Sequence, residues 1–289
     1  MKTRAKLACL MSFVGIWVTL LTGTDPHSRV AAFAEGPNAG HTGAPNELTC
    51  ATSGCHTGTP NSGPGQLTIT APGFYQPGQT YRITVTHATT DSSRRRWGFQ
   101  LTALDAGNHR AGSLQITSDT TQIVEGGPDG MRQYVEHSFN GTFPGQQSGA
   151  TWSFNWVAPA VDAGPVTLYA AGNQANNDSN NTGDQIYTTK VVIFSGPPKI
   201  LSVSVKGKNL GVAGENFADG ATLFRCDACS TPATEGNVVR KTSNDEDSPT
   251  TLLIAKKAGK TIAPGQSVVL QVRNPDGAVS EPFTFMRAN

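Results

Sequence analysis

The chain has 289 residues, 15% of them charged, and a formal net charge of +1. That length suits roughly two domains, and so balanced a charge leaves no electrostatic footprint for nucleic acid or an anionic membrane. The 32 glycines and 18 prolines, with no long stretch of helical period, point to short strands joined by turns and hence to an all-β fold.

At the N-terminus, Lys2, Arg4 and Lys6 precede an apolar run over 7–21, and Ala32, Phe33 and Ala34 form a small-x-small cleavage site. This is the pattern of a signal peptide over 1–34, with Glu35 as the mature start. The run is too short for a transmembrane helix, so no stable membrane span is expected after cleavage; an uncleaved anchor is the competing reading. Cys9 leaves with the signal, and the four remaining cysteines form two close pairs, 50/55 and 226/229. That usage suits an oxidising compartment, so the protein is expected to be exported: periplasmic, cell-surface or extracellular.

Residues 35–65 are rich in Gly, Pro, Thr and Asn, with too few apolar side chains to build a core. Such a segment needs a staple. Within it lie Cys50, Cys55 and His56. Two thiols followed by an adjacent histidine are the elements of a c-type haem site, in which thioether bonds hold the haem and the imidazole turns onto the iron. Here four residues separate the cysteines, where the common spacing has two. The competing reading is a small Cys50–Cys55 disulfide loop beside a chance histidine.

From Gln66 the pattern becomes alternating. Strands are expected over 67–70, 81–86, 97–104, 133–139, 152–156, 166–170 and 186–194. The fifth of these puts Trp152, Phe154 and Trp156 on one face. This makes a β-sandwich over 66–195. Gly196, Pro197 and Pro198 mark a boundary. A second strand-rich block over 198–287 follows, with strands expected over 200–205, 210–213, 221–224, 251–255, 267–272 and 282–285, the size of one immunoglobulin-like domain.

Other candidates carry less chemistry. Cys226 and Cys229 have a redox-motif spacing without the βαβ context, a following histidine or enough ligands for zinc, so a local disulfide is expected. Arg94, Arg95 and Arg96 form a solvated loop or pair with haem propionates. The Asn- and Asp-rich stretch from Asn173 to Asp184 is a polar loop, with calcium binding the lesser alternative. No nucleophile elbow, zinc-protease helix or phosphate loop occurs, so the chain reads as a non-enzyme.

Two family resemblances follow from these residues. Thr42 to Pro45 ahead of Cys50, Cys55 and His56, then Tyr75 to Gly78, Trp97 to Leu101, Tyr134 to His137, Trp152 to Trp156 and Ala171 to Asn176, occur in an order similar to that of the bacterial relatives of the reeler (reelin N-terminal) domain. The resemblance implies a secreted β-sandwich module without known catalysis. It also makes His137, within the Tyr134-Val-Glu-His137 piece, the first choice for a second iron ligand. His41, in the flexible stretch, ranks second. The block from Pro198 to Phe285 resembles an IPT/TIG immunoglobulin-like domain through Ile200 to Val203, Val212 to Phe217 and Val272 to Gly277. That resemblance implies an adhesion, spacer or docking role.

Together these readings predict an exported, haem c-containing protein for electron transfer or redox sensing, with an unknown redox or surface partner. The alternative is a non-enzymatic adhesion or structural protein with disulfides and no haem.

Overall fold

A computed structural model describes residues 34–52, 55–226, 238–240 and 250–289. The chain is all-β, built from antiparallel sheets. The signal-peptide expectation for 1–34 falls almost wholly outside the described residues.

The first block contains β1 (Gln66–Thr70), β2 (Thr80–Ala88), β3 (Arg96–Leu104), β4 (Ser113–Ile116), β5 (Thr121–Gly126), β6 (Arg132–His137), β7 (Gly149–Val157), β8 (Val166–Ala175) and β9 (Gln185–Ile193). They form two sheets, ordered β1-β2-β7-β4 and β5-β6-β3-β8-β9. Alternation decides which side chains lie between them. Trp152, Phe154 and Trp156 of β7 point inward as expected, against Trp97, Phe99 and Leu101 of β3. The Phe99 and Trp152 rings lie 4.7 Å apart. The short edge strands β4 and β5 escape a sequence reading because neither carries a long alternating run.

The second block holds β10 (Lys199–Lys206), β11 (Asn209–Phe217), β12 (Thr222–Cys226), β13 (Val238–Arg240), β14 (Thr250–Ala255), β15 (Ser267–Arg273) and β16 (Phe283–Met286). Its sheets are ordered β10-β11-β14-β13 and β12-β15-β16. Its core is leaner, with Phe217 as its one fully buried aromatic ring among the described residues. The expected Cys226–Cys229 pairing rests on Cys229, which lies outside the described residues.

The five-stranded sheet is covered on both faces. Every residue of β3 after Arg96 is buried, although its even-numbered positions carry Gln100 and Thr102. A two-layer sandwich leaves such positions in solvent. Here the segment 34–52 lies across them, and Ala44 packs against Leu104 and Tyr169. The segment does lack an apolar core of its own, but its staple is polar. Glu47 is the hub: its carboxylate accepts from Arg132 Nη1 at 2.6 Å, from the Tyr134 hydroxyl at 2.7 Å and from the Thr42 hydroxyl at 2.5 Å. Arg132 also donates to the carbonyls of Pro45 and Asn108. A second strut runs through Gln100, whose Nε2 donates to Asn38 O and Glu136 Oε2 while its Oε1 accepts from the His41 amide. The stretch holding His41 is thus hydrogen-bonded to the sheet.

Candidate functional site

Between this covering segment and the outer face of the sheet is a pocket whose enclosed space is about 110 Å³ and whose mouth opens to solvent. Cys50, Cys55, His56, His41 and His137 all line it. Four separate parts of the chain supply the walls: the N-terminal segment, the start of β3, the end of β6, and β8 with the loop that follows.

Local backbone bonds shape the cysteine loop. The Cys55 amide donates to Thr52 O and the His56 amide to Cys50 O, which turns the chain so that both cysteines and the imidazole face one space. Cys50 and Cys55 are unbridged. Burial, reinforced by Cys55, pushes the Cys50 thiol up to about 12.

His56 is held from behind. Its Nδ1 lies 2.8 Å from Asp184 Oδ2, and the Asp184 side chain is 1% exposed. The Asn173 amide nitrogen lies 3.2 Å from His56 Nε2, 3.3 Å from its Nδ1 and 3.1 Å from Asp184 Oδ2. Asn173 Oδ1 is buried with no hydrogen-bond partner. That orphaned acceptor marks a site whose polar groups are not satisfied by the protein alone.

On the other side stand two imidazoles. His41 Nδ1 lies 2.9 Å from Asn38 O, an acceptor only, so Nδ1 carries the proton and Nε2 keeps its lone pair. The His137 ring sits where the β3–β6 ladder stops at Gln100 and Glu136. Its Nδ1 is 3.1 Å from the Phe99 amide and 3.2 Å from the Phe99 carbonyl. Gly98 makes this possible, because a Cβ there would come within 2.7 Å of His137 Cε1.

The arginine run separates into distinct roles. Arg94 is buried, donating to Asp91, Gln174 O and Gly183 O, and so clamps the loop after β8; it is not available to a propionate. Arg96 lines the pocket, with its guanidinium 6.0 Å from the centre of the exposed Phe139 ring. The Asn-rich loop closes on itself through bonds among Asn176, Asp178 and Asn180. Asn177, Ser179 and Asn180 line the pocket from this loop, and its last residue, Asp184, reaches the His56 ring.

The residues present fit a covalently held haem. Two unbridged thiols are followed by an imidazole whose Nδ1 is engaged, further imidazoles stand in the same pocket, and Arg96 is available to a carboxylate. Among the described residues no three His, Cys, Asp or Glu side chains converge on a bare ion; haem iron needs at most two protein ligands. A sequence reading found Cys50, Cys55, His56, His41 and His137, but singled out neither Asp184 among the Asn-rich loop residues nor Glu47.

No family model and no curated protein matches the sequence. Among solved structures, the chain is similar to a cohesin module from Clostridium perfringens ATCC13124 family 33 glycoside hydrolase. The identity is 9% and the TM-score 0.34, over 45% of this chain and 95% of that one.

Proposed function

We propose that the protein is an exported haem c protein serving electron transfer or redox sensing, on a reeler-like domain followed by an IPT/TIG-like domain that spaces or docks it. One observation carries the reading: Cys50, Cys55 and His56 share a single pocket with His41 and His137. The thiols would hold the group through thioethers, with His56 on one face of it. His137 or His41 would supply a second nitrogen to it. When bound, the group supplies a one-electron iron couple whose potential the protein sets through ligands, hydrogen bonds and burial. The chain's own work is to present Nε2 of His56, to limit water through the covering segment, and to offer Arg96 to a carboxylate.

The test is a haem stain of the exported protein on a denaturing gel, which only covalent haem survives, with the pyridine haemochrome spectrum to count thioethers. Wild type is expected to stain, and Cys50→Ala together with Cys55→Ala to lose the stain. His137→Ala and His41→Ala are expected to keep it, and whichever converts a low-spin spectrum to a high-spin one that binds added imidazole identifies the second ligand. An unstained wild type, exported and folded, sinks the haem reading and leaves the adhesion or structural role.

A further inference from the structure

Asp184 lies far from the cysteine motif in sequence, yet it makes the shortest polar contact of the His56 ring, 2.8 Å from Oδ2 to Nδ1. A carboxylate facing a ring nitrogen is an acceptor, so it draws the imidazole proton to Nδ1 and puts the lone pair on Nε2, the atom a metal would take in place of the Asn173 amide now 3.2 Å from it. The carboxylate is itself fixed. Oδ1 accepts from the Asn176 amide at 3.1 Å and Oδ2 from Asn173 Nδ2 at 3.1 Å. Arg94 Nη1 bonds the neighbouring Gly183 carbonyl at 2.6 Å and Gln174 O at 3.2 Å, which ties both ends of the loop to the turn before β3. β8 with the loop after it, and Arg94 across from them, therefore hold the buried carboxylate against one ring nitrogen.

Resting on the haem reading above, we propose that Asp184 is the positioning residue of the site: it sets the tautomer and orientation of His56 and strengthens its donation to iron. A histidine whose Nδ1 proton is shared with a carboxylate is a more basic ligand, and a more basic ligand favours ferric over ferrous iron. The device pulls the potential down and suits the protein to give electrons to acceptors of higher potential. Fixing the ring also spares the ligand bond the cost of ordering it.

Two measurements test this. The first needs no variant and no haem: nitrogen-15 NMR of the haem-free full chain, expected to show the His56 proton on Nδ1. A proton on Nε2 with a bare Nδ1 overturns the assignment. The second compares haem-loaded wild type with Asp184→Asn by redox titration. The amide is a weaker acceptor, and the midpoint potential is expected to shift upward with the haem stain retained. Equal staining with an unchanged or lower potential overturns the proposal while the haem reading stands. An unstained wild type overturns both. Should Asp184→Asn fail to fold, the wild-type tautomer decides.

Discussion

The two faces of the β5-β6-β3-β8-β9 sheet are covered in opposite ways. On the inner face the second sheet packs Trp152, Phe154 and Trp156 against Trp97, Phe99 and Leu101. On the outer face a segment with hardly an apolar side chain is held by Glu47, Arg132, Tyr134, Gln100 and Glu136. Apolar contact is non-directional and adds up with area, so the inner face supplies stability. Hydrogen bonds and ion pairs are directional and return little net energy, but they fix geometry. The outer face thus builds a site at little cost to the core. The pocket lies on the side where position matters more than adhesion.

Breaking the inner face is expected to have the largest effect. Trp152→Ala removes a side chain that is 1% exposed, together with its indole bond to Gly141 O. A loss of about 4 kcal/mol is expected, read as a lowered denaturant midpoint with an unchanged slope. A midpoint close to wild type would remove the contrast between the faces.

Glu47→Ala breaks the outer face. It leaves the buried Arg132 without its counter-charge, at a cost of about 3 kcal/mol. The loss is expected to be local, so hydrogen exchange should quicken across 34–52 while β2, β3 and β7 keep their protection. Uniform quickening across the first block would show that the covering segment is part of one cooperative unit with the core.

A smaller effect sharpens the comparison through pH. His87 is buried between the sheets, its Nε2 3.0 Å from Gly98 O and its Nδ1 accepting from Gln174. Burial pulls its pKa down from 6.5 to about 4. The unfolded chain therefore binds this proton first, and the stability it confers is complete above about pH 6.5 and is lost as pH falls towards 4. By pH 5 the loss is about 2 kcal/mol. Glu136, on the outer face, acts in the opposite sense: burial raises its carboxyl from 4.5 to about 7, so the folded state takes up that proton first and is favoured as pH falls from 7 to 4.5. His87→Phe is expected to remove the acid-side slope and leave the Glu136 contribution. Parallel stability curves for the variant and wild type between pH 7 and 5 would show that His87 does not carry it.

Much of this was readable from the chain by itself. Alternation in Trp152 to Trp156 located a core strand because a pleated strand turns every second side chain to one face. Cys50, Cys55 and His56 could be read together because they are neighbours in sequence, and the structure sets all three on one pocket. Other features could not be read. Gln100, Thr102 and Glu136 have the pattern of solvent-facing strand positions, and only the docked segment buries them. Glu47 meets Arg132 across 85 residues, and Asp184 is one of many polar residues in its loop until folding sets it behind His56. Apolar patterning is local and repeats, so the sequence carries it openly. A polar partnership depends on one pair of atoms meeting in space, and tertiary structure alone decides which of many candidates meet.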